Sequence, residues 1–337
     1  MITAAPPLLR FVCPRCQGEL RRRAEEYRCQ ACGACYPVVA GIADFRLAPD
    51  PWIGIEEDRA KALRLEEATR GMDFEESVRA YWQMTPDTPR ALAERFARHV
   101  LGAAERSREW LARVEREEPA APGGPWLELG CGTGDLLAAA AQRDCSVVGI
   151  DIALRWLVIA RKRPELRDAA ERLVCCGAEA LPFPEASFAR VLSLGLLEHC
   201  ARSDRVLSEA RRVLQPGGML RLRTHNRYSL LPEPHVGVWG VGFVPRNRAD
   251  RYVSWRSGQR YLHHRPLSRR ELTRALHGAG LRQVRVAAAP LLHAEAYRLG
   301  PSAARLAPLY GRARGTPLLR EALAWVAPLL EAHGRKP

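Results

Sequence analysis

The chain has 337 residues, of which 47% are hydrophobic and 27% are charged, and its formal net charge is +14. This composition supports a sizeable buried core and excludes a wholly disordered chain, and the length fits one full α/β domain with a smaller module. No apolar run approaches the roughly 20 residues of a membrane-spanning helix, and the first residues show no export signal. We therefore predict a cytoplasmic protein without an integral membrane segment.

The positive charge is concentrated in the second part of the chain. Residues 202–337 contain 25 Lys and Arg against 8 Asp and Glu. Such an excess is typical of proteins that bind nucleic acid or another anionic partner. Only three of the 52 basic residues are Lys, however, and so strong an Arg bias also fits a GC-rich coding sequence. Composition leaves both interpretations open.

Two cysteine pairs dominate the first part of the chain. Cys13 and Cys16 form one Cys-x-x-Cys hook, and Cys29 and Cys32 form the second. Two hooks at this separation place four thiolates around one tetrahedral zinc ion, and the spacing favours this over a set of reduced core cysteines. Four thiolates leave no open coordination position, so the zinc is expected to be structural and to stabilise a small module. Cys35 is not expected to be a ligand.

The second hook resembles a known kind of zinc ribbon. It runs into Tyr36-Pro37, a short predicted strand and Gly41-Ile42, as in the small zinc-ribbon proteins that activate tRNA and protein methyltransferases. The resemblance covers about residues 9–47. It implies a zinc ribbon over residues 1–47 and a protein partner that binds through the ribbon.

Residues 48–120 have the apolar spacing of helices and are predicted to form a helical connector. Pro86 and Pro89 interrupt this pattern. The aromatic residues Phe74, Tyr81 and Trp82 fit either helix packing or a lid over the next domain. Packing is the favoured interpretation because buried aromatic residues are common in any core.

A glycine-rich segment begins the third part of the chain. Residues 125–134 predict a short strand followed by a Gly-x-Gly-x-Gly turn, and a helix is expected from Asp135. Glycines in such a turn let a ligand lie against the backbone at the end of the strand. A second predicted strand, residues 146–150, leads to Asp151, whose carboxylate can accept both hydroxyls of a ribose. The pattern indicates a nucleotide-type ligand.

The loop from Glu128 to Gly134 resembles the first motif of class I S-adenosylmethionine-dependent methyltransferases. Residues 178–188, 191–199 and 209–218 resemble that family's later landmarks, in the family's order. The resemblance implies an α/β fold over residues 121–337, with a Rossmann-like sheet of seven mostly parallel strands, and S-adenosylmethionine as cofactor. The residues that it implies for cofactor binding are Glu128, Gly130, Gly132, Thr133, Gly134, Asp151, Ile152, Ala178, Glu179 and Leu194.

One position departs from the family pattern. Relatives usually carry an Asp that reaches the adenine amino group, and this chain has Gly177 there. We expect the backbone N–H of Ala178 and the side chain of Glu179 to take over part of this contact.

The segment after the predicted fifth strand, about residues 225–266, is interpreted as a substrate insert. In open α/β sheets the ligand crevice lies beyond the carboxyl ends of the strands, and the insert starts at one such end. We predict that His225, Tyr228 and Glu233 bind the acceptor. The alternative is a surface loop whose polar side chains are only solvated.

Two histidines are the predicted catalytic residues. Transfer of a methyl group to a hydroxyl needs a general base, and His is the usual base near neutral pH. His199 ends the predicted fourth strand and His235 lies in the insert. Either residue also fits a hydrogen-bonded core position. No Asp and His with metal-ligand spacing stand out in this part of the sequence, so no catalytic metal is predicted.

Three functions remain as alternatives. Residues 261–272 and 328–337 resemble segments of quinone-pathway O-methyltransferases, which favours O-methylation of a small molecule such as a quinone, a sugar or a secondary metabolite. A zinc ribbon joined to this fold also resembles the bacterial enzymes that methylate guanine in ribosomal RNA, so an RNA methyltransferase is the second function. The third is a non-catalytic protein that binds cofactor or a partner.

Overall fold

The computed structural model describes residues 10–85, 88–117, 124–142, 146–167, 170–292 and 301–337, which alternate between strands and helices. The strands are β1 Leu20–Arg23, β2 Glu26–Cys29, β3 Cys35–Val39, β4 Ile42–Asp44, β5 Trp126–Leu129, β6 Val147–Asp151, β7 Leu173–Cys175, β8 Phe188–Leu194, β9 Leu214–His225, β10 Arg282–Ala288 and β11 Leu329–Arg335. The helices are α1 Ile55–Ala68, α2 Phe74–Gln83, α3 Arg90–Leu101, α4 Ala103–Glu117, α5 Asp135–Ala141, α6 Leu154–Ala160, α7 Ser203–Val213, α8 Arg246–Ser257, α9 Arg269–Gly278, α10 Pro301–Gly315 and α11 Pro317–Val326.

The chain divides into two compact units, residues 1–190 and 191–337. This division falls within β8 and does not follow the predicted domain boundaries at residues 47 and 120. The second of those boundaries lies outside the described residues. The predicted three-part division therefore stays a prediction. Among the described residues, no helix has both the length and the hydropathy that a membrane span requires.

The cysteine-rich segment joins a larger sheet in the first unit. Strands β1, β2 and β3 form an antiparallel meander, and β4 pairs antiparallel with β3. On its other side β4 pairs parallel with β7, with Ala43 opposite Val174 and Asp44 opposite Cys175. The sequence predicted a separate zinc ribbon over residues 1–47. Its last strand instead continues the sheet that carries the glycine loop.

The parallel strands of the first unit follow the order β4, β7, β6, β5. Their apolar residues are buried almost without interruption, as expected for parallel strands covered on both faces. The predicted strand before the glycine loop and the predicted helix after it are confirmed as β5 and α5. The predicted second strand is β6, and Asp151 is its last residue.

The predicted connector is helical and packs within the first unit. Trp110, Leu111 and Val114 on α4 are fully buried. On α2 the ring of Tyr81 lies 4.4 Å from that of Trp156 in α6. Tyr81 is buried and Trp156 is half-buried, so this contact supports the packing interpretation of the aromatic cluster, which stays a prediction.

The second unit contains the strand order β8, β9, β11, β10. Strand β11 pairs antiparallel with both β9 and β10, which matches the antiparallel last strand implied by the resemblance. The predicted insert follows β9 and contains a small core of its own. Its buried members are Val236, Val238, Val241, Ala249, Val253 and Tyr261.

Candidate active site

The four predicted zinc ligands converge. Sγ of Cys13 lies 3.7 Å from Sγ of Cys32, and Sγ of Cys16 lies 3.5 Å from Sγ of Cys29. All four sulfur atoms lie within 4.8 Å of one another. A tetrahedral zinc ion with Zn–S bonds of about 2.3 Å separates its sulfur ligands by about 3.8 Å. The donor set therefore fits one zinc ion in both chemistry and spacing.

Neighbouring groups act differently on two of these thiols. The backbone N–H of Gly18 lowers the pKa of Cys16, but hydrogen bonds with Cys29 and Cys32 outweigh it and raise the value to about 12. The backbone N–H of Cys32 donates to Sγ of Cys29 over 3.4 Å and lowers the pKa of Cys29 to about 6. The hydroxyl of Tyr36 lies 3.1 Å from Sγ of Cys13. Cys35 is exposed and is not part of the cluster.

The glycine loop of the first unit is shaped for a close backbone approach. Gly132 has φ +49°, and among the described residues no neighbouring atom lies within 4 Å of the position that a Cβ would occupy. Gly134 has φ +73°, and a Cβ at this position would lie 2.7 Å from Cδ1 of Leu166. Position 132 therefore leaves room for a ligand, and position 134 has no room for a side chain.

Asp151 organises this loop as well as standing at the end of β6. Its Oδ2 accepts the N–H of Gly132 over 2.9 Å, and its Oδ1 accepts the N–H of Ala153 over 2.8 Å. Burial raises the pKa of Asp151, and these two hydrogen bonds oppose the shift. Each carboxylate oxygen keeps a further lone pair, so ribose hydroxyls can still be accepted. Its hold on the loop was not predicted.

Glu128 carries one of several buried side-chain polar atoms of the first unit that have no hydrogen-bond partner among the described residues, and it lies beside the glycine loop. The residue is 2% exposed, and its Oε2 has no hydrogen-bond partner among the described residues. Burial raises the pKa of Glu128, and Asp135 and Asp151 add to the effect. Because a buried unpartnered carboxyl is costly, a ligand with donor groups beside the loop fits this position.

The remaining predicted cofactor residues lie on two adjacent loops and on β8. Ala178 is buried, and a Cβ at Gly177 would lie 3.4 Å from Oε2 of Glu179. The Glu179 carboxylate is thus next to the position where relatives carry an Asp. The carbonyl of Ile152 accepts from Nη1 of Arg46 over 3.1 Å. Leu194 is the last residue of β8 and belongs to the second unit.

The second unit holds a buried carboxylate–histidine pair. Nδ1 of His225, at the end of β9, lies 2.5 Å from Oε1 of Glu198, whose Oε2 accepts the hydroxyl of Thr224 over 2.6 Å. Burial alone would raise the pKa of Glu198, but His225 outweighs it and lowers the value. Burial alone would lower the pKa of His225, and the Glu198 charge raises it. His225 is therefore suited to donate a hydrogen bond.

A second pair lies in the insert. Nδ1 of His235 is 2.6 Å from Oε1 of Glu233, while Oε2 of Glu233 accepts the backbone N–H groups of His235 and Val236. Burial opposes ionisation of Glu233, but the His235 hydrogen bond holds its pKa below the usual range. An ionised carboxylate only accepts, so Nδ1 of His235 donates, and Nε2 carries the lone pair of the neutral ring.

His199 and His264 complete a histidine cluster around His235. The ring centroids lie 4.9 Å apart for His199 and His235, 5.1 Å for His199 and His264, and 4.1 Å for His235 and His264. Burial lowers the pKa of His199. It also lowers the pKa of His264 to about 4, with His235 and His199 contributing. His199 and His264 are therefore held as neutral imidazoles at neutral pH.

A cavity of about 230 Å³ lies beside these pairs in the second unit. His225 and Glu233 line it, as predicted for acceptor-binding residues, and Tyr261 lines it without having been predicted. His199 and His235 are not among the lining residues, and neither is Tyr228. Its ring packs 5.5 Å from that of Phe243, so its predicted contact with the acceptor stays a prediction.

The chain is similar in sequence to known methyltransferases. Residues 127–222 match the family model described as a methyltransferase domain. The chain is 30% identical over 184 residues to the ubiquinone/menaquinone biosynthesis C-methyltransferase of Bordetella parapertussis, covering 51% of this chain and 71% of that protein. This chain belongs to the class I S-adenosylmethionine-dependent methyltransferases. That membership confirms the family resemblance seen in the sequence.

Other similar proteins match this chain over a smaller part of their own length. The ubiquinone biosynthesis O-methyltransferase of Idiomarina loihiensis is 29% identical over 161 residues, which cover 48% of this chain and 62% of that protein. A solved structure of Haemonchus contortus phosphoethanolamine N-methyltransferase 2 has 19% identity and a TM-score of 0.45, covering 67% of this chain and 52% of that one. The chain spans about half the length of several curated relatives that it matches.

His264 is one of the site residues of this methyltransferase that sequence analysis missed, as are Glu198 and Tyr261. His264 sits beside His263 in the segment 261–272, whose family resemblance gave no role to this residue, and its partners come from two other segments. The loop is held in place because Arg265 donates its backbone N–H to the carbonyl of Glu198 over 2.6 Å. No spacing in the sequence signals this long-range contact.

Proposed function

We propose that this chain is an S-adenosylmethionine-dependent methyltransferase that methylates an oxygen of a small molecule. The observation that carries the cofactor assignment is the buried Oε2 of Glu128, which lacks a partner beside a glycine loop whose position 132 is open. Family membership supports the same assignment. When bound, S-adenosylmethionine supplies a methyl group on a positively charged sulfur.

We further propose that both carboxylates of the first unit hold this cofactor. Glu128 would accept donors of its methionine part, and Asp151 would accept the ribose hydroxyls while it keeps the glycine loop in place. Gly130, Gly132, Thr133 and Gly134 provide the backbone against which the cofactor lies. For the adenine, the Glu179 carboxylate next to Gly177 supports its role as a substitute for the Asp that relatives carry. Ala178 offers its backbone N–H to the same ring.

For the acceptor we propose the cavity of the second unit. Its lining is largely apolar, with Leu231, Val241 and Leu329 on the walls and the polar groups of His225 and Glu233 among them. Small-molecule sites typically combine apolar walls with a few placed polar groups. This lining supports a small organic acceptor such as a phenol or a hydroxylated quinone.

The histidines supply the chemistry in this proposal. His225, whose charge is favoured by Glu198, donates a hydrogen bond to the acceptor. His235 presents the lone pair of Nε2 because Glu233 fixes its tautomer, and His199 stands beside it as the second predicted catalytic residue. Such lone pairs favour a hydroxyl as the acceptor group, because a hydroxyl must lose its proton when its oxygen is methylated and the lone pair can accept that proton.

We also propose a structural zinc ion at Cys13, Cys16, Cys29 and Cys32. Its support is the fit of the four sulfur atoms to a tetrahedral site. Strand β4 follows directly from this module and pairs with β7, so the ion would stabilise one edge of the sheet in the first unit.

The test of the proposed function combines binding and turnover. Calorimetry should show that wild-type protein binds S-adenosylmethionine and that Asp151→Ala loses about 1–3 kcal/mol of binding. Asp204→Ala, which removes an exposed partner of Arg202, serves as control and should bind like wild type. Labelled methyl transfer is then measured on hydroxylated aromatic compounds and on bulk RNA. Label only in RNA would overturn the small-molecule assignment, and no cofactor binding would overturn the function itself.

A further inference from the structure

Three histidines from separate segments of the second unit converge. His199 ends the short turn Leu197–His199, His235 lies in the insert, and His264 precedes α9. One ring nitrogen of each lies within 4.8 Å of one ring nitrogen of both others. All three side chains are half-buried, so the cluster is neither solvated surface nor sealed core.

A hydrogen bond to Glu233 orients the lone pair of one ring of the cluster, that of His235. Glu233 fixes Nδ1 of His235 at 2.6 Å and leaves Nε2 available. Histidines that bind metals typically donate their other ring N–H to a carboxylate or a carbonyl in this way. The His264 loop is tied to the His199 turn by the hydrogen bond from Arg265 to Glu198. The arrangement is thus held by groups outside the three rings.

Each of the three imidazoles offers one ring nitrogen to a common space. A divalent cation there accepts a lone pair from each neutral ring. Three imidazoles with an open fourth position are a ligand set typical of catalytic zinc.

We propose that His199, His235 and His264 bind one divalent first-row transition metal ion, of which zinc is the best match. The open position takes the oxygen of the acceptor. The ion would lower the pKa of a hydroxyl bound there, so that the proton would leave to solvent water. Nε2 of His235 would then be a ligand of the ion, and the ion would replace it in activating the hydroxyl. This role for the ion rests on the proposed function, whereas binding of the ion does not.

Cobalt(II) is a suitable probe because it occupies zinc sites and its absorption distinguishes sulfur from nitrogen ligands. The protein is purified with zinc at its cysteine site, the histidine site is emptied by dialysis against a weak chelator, and cobalt(II) is then titrated into it. We expect one further equivalent to bind, with weak visible bands and no intense thiolate band in the near ultraviolet. The variants His264→Gln and His199→Gln should each lose at least tenfold in cobalt(II) affinity.

His277→Gln is the matched control, because His277 is an exposed histidine of α9 in the same unit. It should bind cobalt(II) like wild type. Urea unfolding of each variant checks that it is folded, and a loss of affinity counts only for folded variants. Two histidine variants are used so that a folding defect in one leaves the other as the test.

The outcomes separate this proposal from the proposed function. Equal affinity of wild type and both folded cluster variants would overturn the metal site, as would an intense thiolate band on cobalt uptake. Cobalt binding at the histidines by a protein that does not bind S-adenosylmethionine would retain the site and overturn the methyltransferase function. Cofactor binding without cobalt binding would have the opposite meaning.

Discussion

Nη1 of Arg46 lies 2.7 Å from Oδ2 of Asp58, and both side chains are completely buried. Arg46 follows β4 and Asp58 belongs to α1, so this ion pair joins the cysteine-rich segment to the first helix. The same Asp58 oxygen accepts the N–H of Leu154 over 2.9 Å, and its Oδ1 pairs with Arg155 over 2.7 Å. Leu154 begins α6, directly after the loop that contains Asp151 and Ile152. One buried carboxylate thus connects three segments of the first unit.

Replacement of Arg46 by Met should destabilise the first unit strongly. Arg46 also pairs with Asp44 over 2.7 Å, so its loss leaves two buried carboxylates short of a cation. Breaking a buried ion pair from one side typically costs about 3–5 kcal/mol. Urea unfolding measures the change in the free energy of unfolding. Arg79→Met is the control, since it removes an exposed pair with Glu75 and should cost only about 0.5 kcal/mol. Similar losses in both variants would contradict the assigned role.

The same network predicts how stability responds to acid. Burial would raise the pKa of Asp44, but Arg46 and Arg59 outweigh it and lower the value. A lowered folded-state pKa stabilises the protein above the unfolded value, about pH 3.9 for Asp, and this stability is lost as the pH falls through the lower folded value. The free energy of unfolding of Asp44→Asn should therefore depend less on pH than that of wild type below about pH 4. Parallel curves in urea titrations would refute this.

Local patterns were sufficient to predict several elements of the first unit. The two cysteine hooks, the strand before the glycine loop and Asp151 at the end of β6 each occupy a short stretch of sequence whose physical meaning is local. The pairing of β4 with β7 was not predicted, because parallel pairing joins residues more than a hundred positions apart and leaves no periodic signal. The hold of Asp58 on the start of α6 was missed for the same reason.

The second unit shows more clearly which contacts local sequence patterns cannot predict. His199 and His235 were predicted individually as catalytic residues, and they lie together with His264, to which no motif assigned a role. The three rings come together because of backbone hydrogen bonds such as that between Arg265 and Glu198. No local pattern of residue types predicts such a bond. The predicted protein partner of the ribbon and the RNA alternative stay predictions.

The cysteine cluster gives a direct prediction about metal content. Cys16→Ser should remove one equivalent of zinc from the purified protein, because an alcohol is a far weaker zinc ligand than a thiolate. Cys35→Ser is the matched control: Cys35 is an exposed cysteine of the same segment, and its replacement should leave the zinc content unchanged. Elemental analysis provides the measurement. Equal zinc content in the two variants would exclude the four-cysteine site.

Glu233 is the residue whose change best tests the organisation of the histidine cluster. Glu233→Gln keeps the size of the side chain but removes the charge that orients Nδ1 of His235, and its amide nitrogen cannot accept the N–H groups that Oε2 accepts. Loss of a carboxylate that accepts a hydrogen bond from a functional histidine typically lowers activity 10–100-fold. We expect kcat for methyl transfer to fall by about that factor, while calorimetric affinity for S-adenosylmethionine stays at the wild-type value, because Glu233 is not among the residues proposed to hold the cofactor.

Glu209→Gln is the control. It changes a half-buried carboxylate paired with Arg212 on α7 and should leave both kcat and cofactor affinity unchanged. If Glu233→Gln raised only KM, Glu233 would be a binding residue without influence on His235. If cofactor affinity fell together with kcat, the insert would have a structural role instead.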